Sequence, residues 1–213
     1  MFESNLDVAK RISRYYTLIV VAFSALVVIS PILGTKVIEV FGVKFTAGLF
    51  TILLGFSLLD IVNEIFGHKE ARYLAVSVVL VRLVLFVVIV PIIIKMPSYL
   101  EPTGYSNLLY MGMRTFVASE ILTLVQNVLI DIPIFNSLKK IKLGFFFRAN
   151  LSNIISWSFG TICFVLISFW GYDRPLIPIM LGQTLVKFPL SFCFAWIGLL
   201  AVRRMRRLSD KAE

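Results

Sequence analysis

Phe56-Ser57-Leu58-Leu59-Asp60-Ile61-Val62-Asn63-Glu64-Ile65-Phe66-Gly67 sits at the end of an apolar run long enough to cross a bilayer. Asp60 and Glu64 are four residues apart and Asn63 is three from Asp60. A helix therefore puts all three polar groups on one face, with apolar residues between them. Such a face cannot look at lipid. A charge near the bilayer centre costs about 2.5–3.5 kcal/mol, so intramembrane carboxylates face protein or an aqueous cavity. Arg82, Glu120 and Lys187 interrupt other apolar runs in the same way.

The rest of the chain places this stretch in a membrane. Of 213 residues, 59% are hydrophobic and 15% charged, and the mean hydropathy is +0.91. Soluble domains carry about 25% charged residues. Each crossing needs about 20 residues, and apolar runs of that order occupy 15–33, 45–66, 71–94, 109–132, 154–170 and 177–202. The expected architecture is all-α: six transmembrane helices in one domain over 1–213. Punctuation between the runs comes from Pro31 with Gly34, Gly67-His68-Lys69, Pro97 with Pro102 and Gly104, Asn136 before a basic run, and Gly171 with Pro175. The short break at 67–70 predicts a tight antiparallel hairpin.

Loop charges predict the orientation. Of 21 Lys and Arg, fourteen fall at the N-terminus, in the even-numbered loops and in the C-terminal tail, including Lys10, Lys69, Lys139, Arg148, Arg203 and Lys211. Four, Lys36, Lys44, Lys95 and Arg174, fall on the other side, and Arg82, Arg114 and Lys187 lie within spans. Positive residues stay cytoplasmic, so both termini are expected inside a multi-pass protein of the cell inner (plasma) membrane. Topology and anionic headgroups explain the net charge of +9 better than nucleic acid does. The first apolar run exceeds a signal-peptide core and lacks a small-residue cleavage site, so it is expected to remain as a helix.

Several chemistries are not expected. Cys163 and Cys193 lie within spans, where Cys acts as a small hydrophobe, and one His with two thiols offers no metal spacing. Neither metal site, disulfide nor cofactor is expected. An enzyme would need a nucleophile or an oriented acid–base pair, which this His and Cys content does not supply. No Gly-rich phosphate loop with Lys-Ser/Thr occurs, so energy for transport would come from an ion gradient, from intracellular trapping or from a separate ATPase module.

The polar face of the second span admits two readings. A guanine-like heterocycle presents adjacent N–H donors that a carboxylate accepts in bidentate, charge-assisted fashion, with Asn63 adding a donor and an acceptor. Alternatively the cluster joins helices. Glu64, near a membrane face, could meet Lys69 or Arg72. Glu120 with Arg82 and Asp60 with Lys187 are possible ion pairs, and ligand or proton handling is an equal alternative for each. Arg114 is expected to reach the interface. Trp157 lies in the polar run Asn150, Ser152, Asn153, Ser156, Trp157, Ser158, where its ring either packs or stacks a planar ligand. Gly34, Gly48, Gly55, Gly160 and Gly182 suit close helix approach.

Three stretches carry a family resemblance. The first runs from Lys36 and Gly48 to Asp60-Ile61-Val62-Asn63-Glu64-Ile65-Phe66-Gly67, then Lys69, Ala71 and Arg72. The second comprises Asp131-Ile132-Pro133-Ile134-Phe135, Lys139, Arg148-Ala149-Asn150, Ser152, Ser156 and Thr161, and the third Gly182, Gln183 and Lys187. Together they resemble the queuosine-precursor transporters within the vitamin uptake transporter family. The resemblance implies import of 7-deazaguanine bases through a six-helix fold similar to the substrate-binding subunits of energy-coupling-factor transporters. It also implies that Asp60, Asn63, Glu64, Arg148, Asn150, Ser156 and Lys187 line the pocket or path. The chain departs from the family pattern at Trp157 and Gly160, where Gln and Asp are expected, and at Phe194, where an acidic residue is expected. Fewer carboxylates favour a neutral or bulkier base over an aminomethyl cation. The alternatives are another vitamin or planar heterocycle, with or without an energising module, and a non-transporting scaffold that would tolerate Ala at Asp60 and Asn63.

Overall fold

The computed structural model describes residues 2–97, 102–173 and 175–209; Arg174 and Lys211, counted above for orientation, lie outside them. Six helices are long and apolar enough to cross a membrane. They are α1 (Phe2–Gly34), α2 (Gly48–Ile65), α3 (His68–Lys95), α4 (Tyr105–Lys140), α5 (Phe145–Phe169) and α6 (Leu176–Ser209). Six crossings bring both termini to one face, called here the terminal face.

The opposite face carries an element outside the helical expectation. Strands β1 (Val37–Val40) and β2 (Val43–Thr46) pair antiparallel with Val40 opposite Val43. Phe41 (φ 51°) and Gly42 (φ 79°) form the two-residue turn, the left-handed pair that matches strand twist. The hairpin moves the start of α2 from the expected Phe45 to Gly48. Val37-Ile38 and Val43 are β-branched, and a hairpin satisfies its own backbone where the chain leaves the bilayer.

Two further helix boundaries differ from expectation. Asn136 does not end α4, because its amide donates to the Ile132 carbonyl at 2.7 Å and to Asn63 Oδ1 at 3.3 Å. Helix α5 starts at Phe145 rather than near residue 154, since Arg148 and Asn150 find partners across the bundle. The break at Gly67 is as tight as expected, with φ at 93° joining α2 to α3.

Helices α3 and α4 widen to π geometry at Val84–Ile89 and Leu122–Asp131. Each wide stretch ends two residues before a proline, Pro91 or Pro133. A proline ring collides with the carbonyl four residues back, here that of Val87 or Leu129, and a wider turn relieves the collision. In α4 the widened stretch buries Gln126, Asn127 and Asp131.

Core packing falls into separate clusters, each drawn from three or more helices. Phe23 and Val27 of α1 pack with Leu59 and Val62 of α2 and with Leu74 and Val78 of α3. Ile61, Phe135, Phe145, Ala195 and Val202 close the terminal face. Gly182 of α6 packs against a strand rather than a helix: a Cβ there would collide with the Lys44 carbonyl. Gly182→Ala is therefore expected to push the hairpin off α6 and cost about 1–3 kcal/mol. Gly144→Ala, with open space around the Cβ position, is expected to unfold with the unmodified protein in a detergent thermal-stability assay.

Candidate functional site

Polar side chains bury along one internal seam between α2, α4, α5 and α6. The expected site residues all lie on it, in two groups separated along the membrane normal. Near the terminal face stand Asp60, Asn63, Glu64, Arg148, Asn150 and Ser156; farther in stand Trp157 and Lys187. All eight are buried.

The terminal group is built around Glu64. Its carboxylate receives Arg148 Nη2 at 2.8 Å, Lys139 Nζ at 3.4 Å, and Arg206 Nη2. Lys139 also donates to the Glu64 carbonyl at 3.3 Å. Glu64 thus binds cations from α4, α5 and α6, rather than Lys69 or Arg72, because its side chain points into the bundle. The Arg148 guanidinium lies 4.8 Å from the Phe135 ring centroid. One carboxylate ties α2 to three other helices at this face.

About a turn deeper is Asp60, 4% exposed. Asn153 hydrogen-bonds to it, and Arg148 and Asp131 act on it electrostatically. Ser156 Oγ donates to Asp131 Oδ1 at 3.5 Å. The three cations Arg148, Lys139 and Arg206 and the three carboxylates Glu64, Asp60 and Asp131 are formally balanced. Asn150 does not enter this network; its Oδ1 accepts from Ser191 Oγ at 2.9 Å and joins α5 to α6.

The Asp60–Lys187 pair does not form. Lys187 Nζ instead donates to Thr161 Oγ1 at 2.6 Å and lies 5.8 Å from the Trp157 ring centroid. Thr161 is eight residues along α5 from the Asn153 that holds Asp60, about 12 Å of rise. Glu120 and Arg82 do pair, at 3.0 Å, beside the stacked Phe86 and Phe116 rings. They pin α3 to α4. Arg114 donates to the Trp170 carbonyl at 2.7 Å at the membrane edge.

Lys187 borders a cavity of about 30 Å³ whose polar wall also includes Ser30, Thr46, Ser119 and Gln183. Gln183 Nε2 donates to Thr46 Oγ1 at 3.1 Å, which fastens β2 over it. That volume holds a water or two; small-molecule pockets run to about 300–1,000 Å³. In this conformation the cavity is too small to hold a small-molecule substrate.

Several buried polar groups of α2, α4 and α5 have unused hydrogen-bonding capacity. Asn63 Nδ2, Gln126 Oε1, Asn127 Nδ2, Asn153 Oδ1 and Trp157 Nε1 are buried with no hydrogen-bond partner among the described residues. An unpaired buried polar atom costs about 1–3 kcal/mol, so each of these five has capacity for a polar guest. Trp157 packs with Phe45, Leu49 and Leu53, with its indole N–H left free.

Sequence reasoning left Asp131, Asn153, Gln126 and Asn127 out of the site. Gln126 and Asn127 carried a signal, since amides in an apolar span point inward. Asn153 lies three residues before Ser156, on the same face of α5.

A family model described as "Putative vitamin uptake transporter" matches residues 46–201. No curated protein and no solved structure matches the chain.

Proposed function

We propose that this chain, which belongs to the vitamin uptake transporter family, imports queuosine precursors, 7-deazaguanine bases salvaged for tRNA modification. It is a multi-pass membrane transporter of six helices. The substrate reading rests on Asp60: a buried carboxylate flanked by Asn63 Nδ2 and Asn153 Oδ1, both unpaired. A carboxylate accepts the paired ring and exocyclic N–H groups of a guanine-like edge, while an amide N–H meets its carbonyl. Lys187 and Trp157 line the same path nearer the hairpin face.

The terminal face, rich in Lys and Arg, is cytoplasmic in this reading, and the membrane is the cell inner membrane. The base enters from the hairpin side, meets Lys187 and Trp157, moves along the free amides to Asp60, and leaves when the Glu64 ties part. A hydrogen-bonding site of this kind rejects ligands that lack the matching donors by large factors.

Uptake of radiolabelled queuine, the cyano and aminomethyl 7-deazaguanines, guanine and several vitamins tests the reading in cells lacking their own salvage transporter. Saturable uptake of a 7-deazaguanine that depends on this chain is the expected result. Uptake of a vitamin but of no deazaguanine by well-inserted protein would replace the substrate.

A further inference from the structure

We infer that Lys187 is a charge filter on the hairpin side of the path: it admits bases whose substituent is neutral or anionic and turns away those carrying a cation. The inference rests on the deazaguanine reading and names which member of that class is taken, the base bearing a neutral nitrile rather than the one bearing an aminomethyl cation.

Lys187 is 7% exposed and is the charged residue among those lining its cavity; Ser30, Thr46, Ser119 and Gln183 are neutral polar neighbours. Among the described residues no carboxylate forms an ion pair with it. Glu120, next to Ser119 in sequence, is committed to Arg82. Asp60 and Asp131 meet α5 at Asn153 and Ser156, five to eight residues from Thr161, or about 8–12 Å along the helix.

Packing alone does not account for this lysine. An ammonium buried without a counter-charge costs several kcal/mol, and an apolar side chain of similar length would fill the space more stably. Thr161 accepts one of its three N–H donors, and the Trp157 face lies close enough to hold the charge in place. The remaining donors suit a nitrile nitrogen, a carboxylate or a ring carbonyl. A second cation entering the same closed space finds no compensating anion, and like charges at short range in a low dielectric repel strongly.

The test uses three deazaguanines that differ only in the substituent on the five-membered ring: nitrile, carboxylate and aminomethyl. The unmodified protein is expected to take up the nitrile base at least ~10-fold faster than the aminomethyl base, a difference of about 1.4 kcal/mol. Lys187→Arg is expected to keep that ratio, Lys187→Gln to bring it near unity, and Lys187→Glu to reverse it. Each variant is first checked for folding by size exclusion in detergent. Equal or preferential uptake of the aminomethyl base by the unmodified protein would overturn the filter, and so would a ratio unchanged in Lys187→Gln. Uptake of none of the three would instead overturn the deazaguanine reading itself, so the two failures are told apart.

Discussion

Replacing Glu64 with Ala is expected to abolish the accumulation of folded protein. Its carboxylate is the shared partner of Arg148, Lys139 and Arg206, and Arg148 is itself buried. Removing one partner of a buried pair costs about 3–5 kcal/mol because a charge is left uncompensated. Here the loss also leaves three cations facing one another. Glu64→Gln, which keeps the shape and accepts hydrogen bonds, is expected to fold with a lower melting temperature. Arg206→Ala, on a side chain 62% exposed, is expected to cost at most about 1 kcal/mol. Combining Glu64→Ala with Arg148→Ala should restore part of the loss, since the buried unpaired guanidinium is then gone. The yield of folded protein by size exclusion in detergent, with thermal unfolding of every variant that accumulates, separates these four cases. Equal stability of Glu64→Ala and the unmodified protein would mean that the helices are not held through this carboxylate.

Asp60→Asn is expected to separate stability from transport. The amide has the carboxylate's shape, so packing with Asn153 changes little and melting temperature should hold within a few degrees. Uptake should fall much further: a hydrogen bond to a charged group is worth about 1.5–3 kcal/mol, or roughly 10–100-fold in binding. Asp60→Ala should lose at least as much. A carboxylate serving helix packing alone would give the opposite pattern, a lowered melting temperature with transport rates unchanged.

Helix number and the inward-facing polar cluster were legible in the sequence because bilayer thickness and charge burial impose them directly. Asp60, Asn63 and Glu64 announce their shared face by spacing alone. What each residue pairs with was not legible. Glu64 finds partners on α4, α5 and α6 rather than Lys69 and Arg72 nearby in sequence, and Lys187 finds Thr161 instead of Asp60. Pairing depends on which helix faces lie together, and hydropathy carries no record of that. The hairpin was missed for a different reason. Its turn uses Phe41-Gly42 instead of the Asn-Gly or Asp-Gly that marks such turns, and Phe45 extends the apolar run of α2 backwards. The apolar run marks the start of α5 late because Arg148 counts among the loop cations and the polar run from Asn150 interrupts the hydropathy, until their partners across the bundle are seen.

The claim that the polar seam is the route of transport is tested most directly by placing a single cysteine at Ser156 in protein whose Cys163 and Cys193 have been replaced by Ala. Ser156 is fully buried and lies between Asp60 and the cavity at Lys187. If the seam is the path, a small water-soluble thiol reagent labels Cys at this position during turnover, labelling blocks uptake, and excess substrate slows the labelling. Full uptake by protein labelled at this site, or labelling at a rate indifferent to substrate, would contradict it.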